Sequence, residues 1–178
     1  LYTQFSANAD GILGLGASAV SGTSVSGGSA TTPKISALGA DLYVSASGKV
    51  HYKIIGTAPN RCLVVEWTGM AVTYNTTAAN GNSQWQVRLY ESSGVVEYIY
   101  GAINCTSTTY NPVGAGFSVN TTANNTASIT YSTNTVSNAA VFSTNTLALG
   151  DVPNINSTTN GSRRIYRFTP PTTVNGDV

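Results

Sequence analysis

Between Trp85 and Tyr100 apolar and polar residues alternate on both sides of Ser92-Ser93-Gly94. With a turn at that triplet and Glu91 opposite Val96, one face collects Trp85, Val87, Leu89, Val96, Tyr98 and Tyr100. The other face collects Gln86, Arg88, Tyr90, Glu97 and Ile99. A period of two with one apolar face is the pattern of a hairpin lying on a core on one side and in water on the other. Arg88 and Glu97 fall diagonally across it and are expected to pair on the outer face, a type of contact that stabilises little.

The same period runs through the preceding stretch. Val50, Tyr52 and Ile54 alternate with His51, Lys53 and Ile55; after the loop Gly56 to Asn60, Leu63, Val65 and Trp67 alternate with Cys62, Val64 and Glu66. Upstream, Leu1 to Ser6 reads as a strand, Asn8-Ala9-Asp10-Gly11 as a turn, and Ile12 to Gly16 as its return. Lys34 to Val44 holds a further short strand after a Ser/Gly/Thr loop over residues 21–33. Downstream, short strands are expected near Gly116 to Val119, Ala127 to Tyr131, Ala140 to Ser143 and Thr146 to Leu149. The last, Arg164 to Thr169, is stopped by Pro170-Pro171, because proline cannot continue a ladder. Composition agrees. Thr is the commonest residue at 25, Val (17) outnumbers Leu (9), and there are ten Tyr, while the strong helix formers are scarce. The expected fold is all-β: a two-sheet antiparallel β-sandwich, jelly-roll-like, forming one domain over residues 1–171 with an extended tail at 172–178.

Only 8% of the residues are charged, against about 25% in an ordinary domain, and the formal net charge is +1. That argues against nucleic-acid or anionic-membrane partners, which need clustered Lys and Arg. No apolar run approaches the length of a membrane-spanning helix. Residues 98–150 carry no charge in 53 consecutive positions. Soluble proteins guard strand edges with charge, so this stretch lacks the usual protection against pairing with another chain.

Cys62 and Cys105 are the only cysteines. With a single His they make no zinc set, and a disulfide between them, worth about 3–4 kcal/mol, is the expectation. Asn75, Asn104, Asn120, Asn124, Asn156 and Asn160 begin Asn-x-Ser/Thr sequons, few more than this composition produces by chance. They mark expected surface loops and candidate glycosylation sites.

The runs Gly48-Lys49-Val50-His51-Tyr52-Lys53, Gly56-Thr57-Ala58-Pro59-Asn60-Arg61 and Val65-Glu66-Trp67, with Gln86-Val87-Arg88-Leu89-Tyr90-Glu91 and Val96-Glu97-Tyr98-Ile99-Tyr100-Gly101, are distinctive. Together they resemble a β-sandwich domain of secreted and cell-surface proteins of Bacteroidota. The resemblance implies an extracellular, non-catalytic module of adhesion or surface-layer chains, with no catalytic residues to carry over. Asp10-Gly11-Ile12 departs from the Asn-Gly-apolar turn of that family, whereas Tyr166-Arg167-Phe168-Thr169-Pro170-Pro171 matches its closing strand. Members extend further upstream, so the chain is expected to lack its leading strand or strands.

No catalytic constellation stands out. His51 reads as an ordinary strand residue, and Glu66, Glu91 and Glu97 as surface-pairing groups; no Gly-x-Ser-x-Gly elbow and no calcium loop occur, and no enzyme activity, metal or cofactor is expected. Two readings follow. The first is a self-assembling subunit of a surface filament or lattice, in which one end of a copy completes the sandwich of the next: Leu1 to Ser6, with Leu1, Thr3 and Phe5 facing inward, or the more polar Thr172 to Val178. The second is a carbohydrate-binding or adhesive module that stacks sugars on Tyr43, Tyr74, Tyr90 and Tyr110. Its partners are thus other copies of itself or glycans, and its location is extracellular or at the cell surface.

Overall fold

The computed structural model describes residues 2–25, 32–72, 81–103, 113–119, 126–130, 141–144, 149–150 and 164–171, and every regular element among them is a strand. In chain order these are β1 (Phe5–Ala7), β2 (Leu13–Leu15), β3 (Lys34–Gly39), β4 (Tyr43–Ile55), β5 (Cys62–Ala71) and β6 (Ser83–Tyr90). β7 (Val96–Tyr100), β8 (Val113–Ser118), β9 (Thr126–Thr130), β10 (Val141–Thr144), β11 (Leu149–Gly150) and β12 (Ile165–Phe168) follow. They form two antiparallel sheets, so the expected all-β sandwich is what the chain adopts. The first sheet runs β1-β2-β3-β8-β9-β10, with β11 also on β8; the second runs β12-β7-β6-β5-β4. Four consecutive strands, β4 to β7, stay in the second sheet as one meander. The tail 172–178 lies outside the described residues.

Register explains the parity seen in the sequence. Trp85 pairs with Trp67 and Tyr100, Val87 with Val65 and Tyr98, and Leu89 with Leu63 and Val96. These rows point inward, and on the β4 side they end in Val50, Tyr52 and Ile54. The core cluster joins them to Leu13, Ile35, Ala37, Leu38 and Ala115 of the first sheet. Trp67 and Trp85 stack at its centre, with ring centroids 6.1 Å apart. Leu89, not Glu91, faces Val96, so the turn is longer than the sequence suggests. Tyr43 and Val44 belong to β4, not to the end of the strand that starts at Lys34.

Polar bonds lock one sheet to the other. The buried Tyr98 hydroxyl donates to the Gly116 carbonyl at 2.5 Å, and the buried Tyr100 hydroxyl donates to the Ala37 carbonyl. The Trp67 indole N–H donates to the Asn8 carbonyl at 2.8 Å. Asn8 opens the β1–β2 turn. Its side chain accepts from the Ile12 N–H at 3.0 Å and donates to the Gly22 carbonyl at 2.8 Å. Asp10 then takes the Leu42 N–H at 3.2 Å, and Ser36 donates to the Gly11 carbonyl at 2.9 Å. The Asp-Gly turn is therefore held by both sheets.

Two expectations are corrected. Arg88 and Glu97 stand directly opposite each other, but Arg88 donates to the Gln86 side chain at 2.8 and 3.1 Å. Glu97 instead pairs with Arg167 of β12 and accepts from the Tyr90 hydroxyl at 2.8 Å. Arg167 arrives from 70 residues away, and its guanidinium lies 6.0 Å from the Tyr90 ring centre. Cys62 is a free thiol, not half of a disulfide, although it is only 5% exposed. Cys105 lies outside the described residues. Burial pushes the Cys62 thiol up, opposed by the nearby Arg88 charge. A buried thiol held in its neutral form reacts slowly. Alkylation at Cys62, followed by peptide mass spectrometry, is expected to be slow in the native protein and fast in denaturant; equal rates in both would contradict its burial.

Candidate functional site

The two sheets leave one side of the sandwich open. There the edge strand of the first sheet, β1, runs beside the edge strand of the second, β4. The Phe5 and Tyr52 rings meet edge to face across the gap, 5.0 Å between centroids. Two clefts flank this contact. One, about 550 Å³, is lined by Thr3 to Ala7, Gly16, Ala17, Val50, His51, Tyr52 and Val65. The other, about 500 Å³, is lined by Tyr2 to Phe5, Leu15, Ile54, Leu63 and Leu89, with Arg61, Tyr90 and Glu91 at its rim.

β4 forms this site because it is long and has a neighbour on one side only. It has 13 residues, and among the described residues it pairs with β5 alone. Its inward row is core-like in sequence, yet no further strand among the described residues covers it: Tyr52 is 61% and Ile54 52% exposed, and Ile55 on the other face is exposed too. Exposed apolar side chains grouped around a cleft mark a binding surface more than a free one. The unpaired backbone of an edge strand is also a template for another chain.

The outer face of the same sheet carries the charge. Lys49, His51 and Lys53 of β4 lie in the rows of Thr68, Glu66 and Val64. The His51 Nε2 is 2.9 Å from Glu66 Oε2, and the Gln86 side-chain amide donates to Glu66 Oε1 at 2.9 Å. At the hairpin tips Arg61 grips Glu91 with Nε 2.8 Å from Oε2 and Nη2 2.5 Å from Oε1. This bidentate grip holds the Glu91 carboxyl well below its ordinary 4.5, at about 2. A depressed carboxylate stabilises the fold fully above its unfolded pKa, and that contribution is lost as pH falls through the folded value. Glu91→Gln is accordingly expected to lower Tm modestly at pH 7 and to flatten its dependence on pH between about 4.5 and 2, so that the two proteins converge at the acid end. Superimposable acid-unfolding curves for the two proteins would refute this.

Most residues singled out by sequence do not converge here. Thr3 and Phe5 do, and Tyr90 reaches the rim of the second cleft, but Phe5 pairs with Leu15 of its own chain and packs on its own core. Leu1 lies outside the described residues. Tyr43 pairs with Ala71 and Tyr90 ends opposite Cys62. These positions are at opposite ends of β5, roughly 30 Å apart at about 3.3 Å per residue, so the two tyrosines share no platform. Tyr74 and Tyr110, like Asn75, Asn104, Asn120, Asn124, Asn156 and Asn160, lie outside the described residues. Sequence reasoning missed Tyr52, Ile54 and Gln4. The alternation that places Tyr52 and Ile54 inward is visible, but not the fact that their strand is an edge.

Among the described residues no three His, Cys, Asp or Glu side chains group as a metal site, and no helix is long and apolar enough to cross a membrane. A family profile described as NIDO related matches residues 1–170. The chain belongs to the NIDO-related family. This is an extracellular domain family, so the extracellular class that the sequence motifs implied holds at that level. The match does not extend to Bacteroidota adhesion domains in particular. No curated protein and no solved structure matches the chain.

Proposed function

We propose that this NIDO-related chain is a non-catalytic extracellular interaction module that receives an extended segment of another polypeptide on its open side. The observation that carries the reading is β4, a long edge strand with exposed inward-row side chains beside a cleft. An incoming strand would satisfy the free backbone groups of β4 and cover Tyr52 and Ile54, which is recognition by strand addition. Self-assembly into a filament or lattice is one case of this reading, with the donor supplied by a neighbouring copy. Because Phe5 is engaged in its own sheet, the described part of the chain acts as acceptor and not as donor. The carbohydrate-binding reading has less support, since Tyr43 and Tyr90 are far apart.

A display library of eight-residue peptides, panned on the purified chain and on its Tyr52→Lys/Ile54→Lys variant, tests the proposal. Both positions are more than half exposed, so the variant is expected to fold, as circular dichroism would check. The wild-type chain should enrich strand-forming peptides and the variant should not. Equal enrichment on both would overturn the reading.

A further inference from the structure

We infer that the β4 edge selects a segment in which acidic residues alternate with apolar ones, and that this partner segment lies outside these 178 residues. The inference rests on the strand-addition reading above and names its partner. Side chains of β4 alternate between two faces. Val50, Tyr52 and Ile54 continue the inward rows, one of which runs Tyr52, Val65, Val87 and Tyr98. A strand laid beside β4 extends those rows, so every second residue of it must be apolar. Its remaining residues stand beside Lys49, His51 and Lys53 on the outer face. His51 already has Glu66, whereas Lys49 and Lys53 make no ion pair among the described residues. Opposite charges across neighbouring strands attract at this spacing and like charges repel. The preferred strand therefore carries acids four residues apart, one for each lysine.

This requirement excludes the nearest alternative donors. A second copy pairing antiparallel through its own β4, centred on His51, sets Lys49 of each copy against Lys53 of the other and His51 against His51. Nor does any other segment of the chain fit. Its seven acids are Asp10, Asp41, Glu66, Glu91, Glu97, Asp151 and Asp177, and the closest two are six residues apart. No stretch of these 178 residues can face both lysines with carboxylates.

Three capped eight-residue peptides, with valine alternating with glutamate, serine or lysine, test the inference on the full chain. Binding is read by fluorescence anisotropy, and engagement of β4 by hydrogen-exchange protection across residues 49–55. The glutamate peptide should bind about tenfold tighter than the serine peptide, and the lysine peptide weakest. The order should compress in high salt and reverse in Lys49→Glu/Lys53→Glu. Equal affinities with protection of β4 would overturn the charge selection and leave strand addition standing. No protection of β4 by any peptide would overturn both. Dimers of the chain alone in sedimentation, with β4 protected, would overturn the inference in favour of a second copy of these residues.

Discussion

Trp67→Ala is expected to lower the free energy of unfolding by about 5 kcal/mol, the largest loss at any single side chain described above. Trp67 is fully buried against Trp85 in the centre of the core. Truncation leaves a cavity that a sandwich locked by hydrogen bonds between its sheets cannot collapse to fill. It also removes the donor to the Asn8 carbonyl, which faces the core side of the β1–β2 turn. Against a typical domain stability of about 5–15 kcal/mol this is enough to unfold a marginal protein. A gentler pair separates the two causes. Trp85 is equally buried, but its indole N–H has no hydrogen-bond partner among the described residues. Trp67→Phe should thus cost about 1 kcal/mol more than Trp85→Phe in urea titrations followed by circular dichroism. The reverse order would show that the bond to Asn8 contributes nothing.

Gly11→Ala is expected to cost roughly 3 kcal/mol or more, from a change of one methyl group. Gly11 has φ of +82°, where an L-residue is strained, and a Cβ there would come 1.8 Å from the Leu38 carbonyl oxygen. The obstacle is backbone of the first sheet, so relief means moving β3. Gly94 supplies the comparison. Its φ is +65°, but a Cβ would meet only the Pro170 side chain at 3.1 Å. Gly94→Ala should therefore cost about 1 kcal/mol, chiefly for the left-handed conformation. Thermal unfolding of the two variants side by side reads the difference; similar losses would mean that the close approach to Leu38 is not maintained in solution.

The sequence made most of the second sheet legible because four of its five strands are consecutive. Residues 62 to 100 zigzag through β5, β6 and β7, so alternation alone assigns Trp67, Trp85, Val87 and Tyr98 to the core. It could not name neighbours brought from afar. Arg88 and Glu97 were in reach of each other on paper, yet Arg167 of β12 takes Glu97 and leaves Arg88 to Gln86. Alternation likewise puts Cys62 on the outer face without revealing that it is buried there. The open side was hidden for the same reason: periodicity gives the face of Tyr52, but only the sheet order makes β4 an edge. The Asp10-Gly11 turn was readable as a turn, but not as the point where both sheets take hold of the chain.

The bonds from Tyr98, Tyr100 and Trp67 to carbonyls across the sandwich bear on mechanics. Apolar faces in contact can slide with little change in buried area, whereas a hydrogen bond has one length and one direction. These three fix the offset of one sheet over the other. β1 and β12, near the two ends of the matched region, lie in different sheets and on opposite sides of the module. Tension applied between them is therefore a shear across the core, and the buried hydroxyls and the indole are the fasteners that resist it.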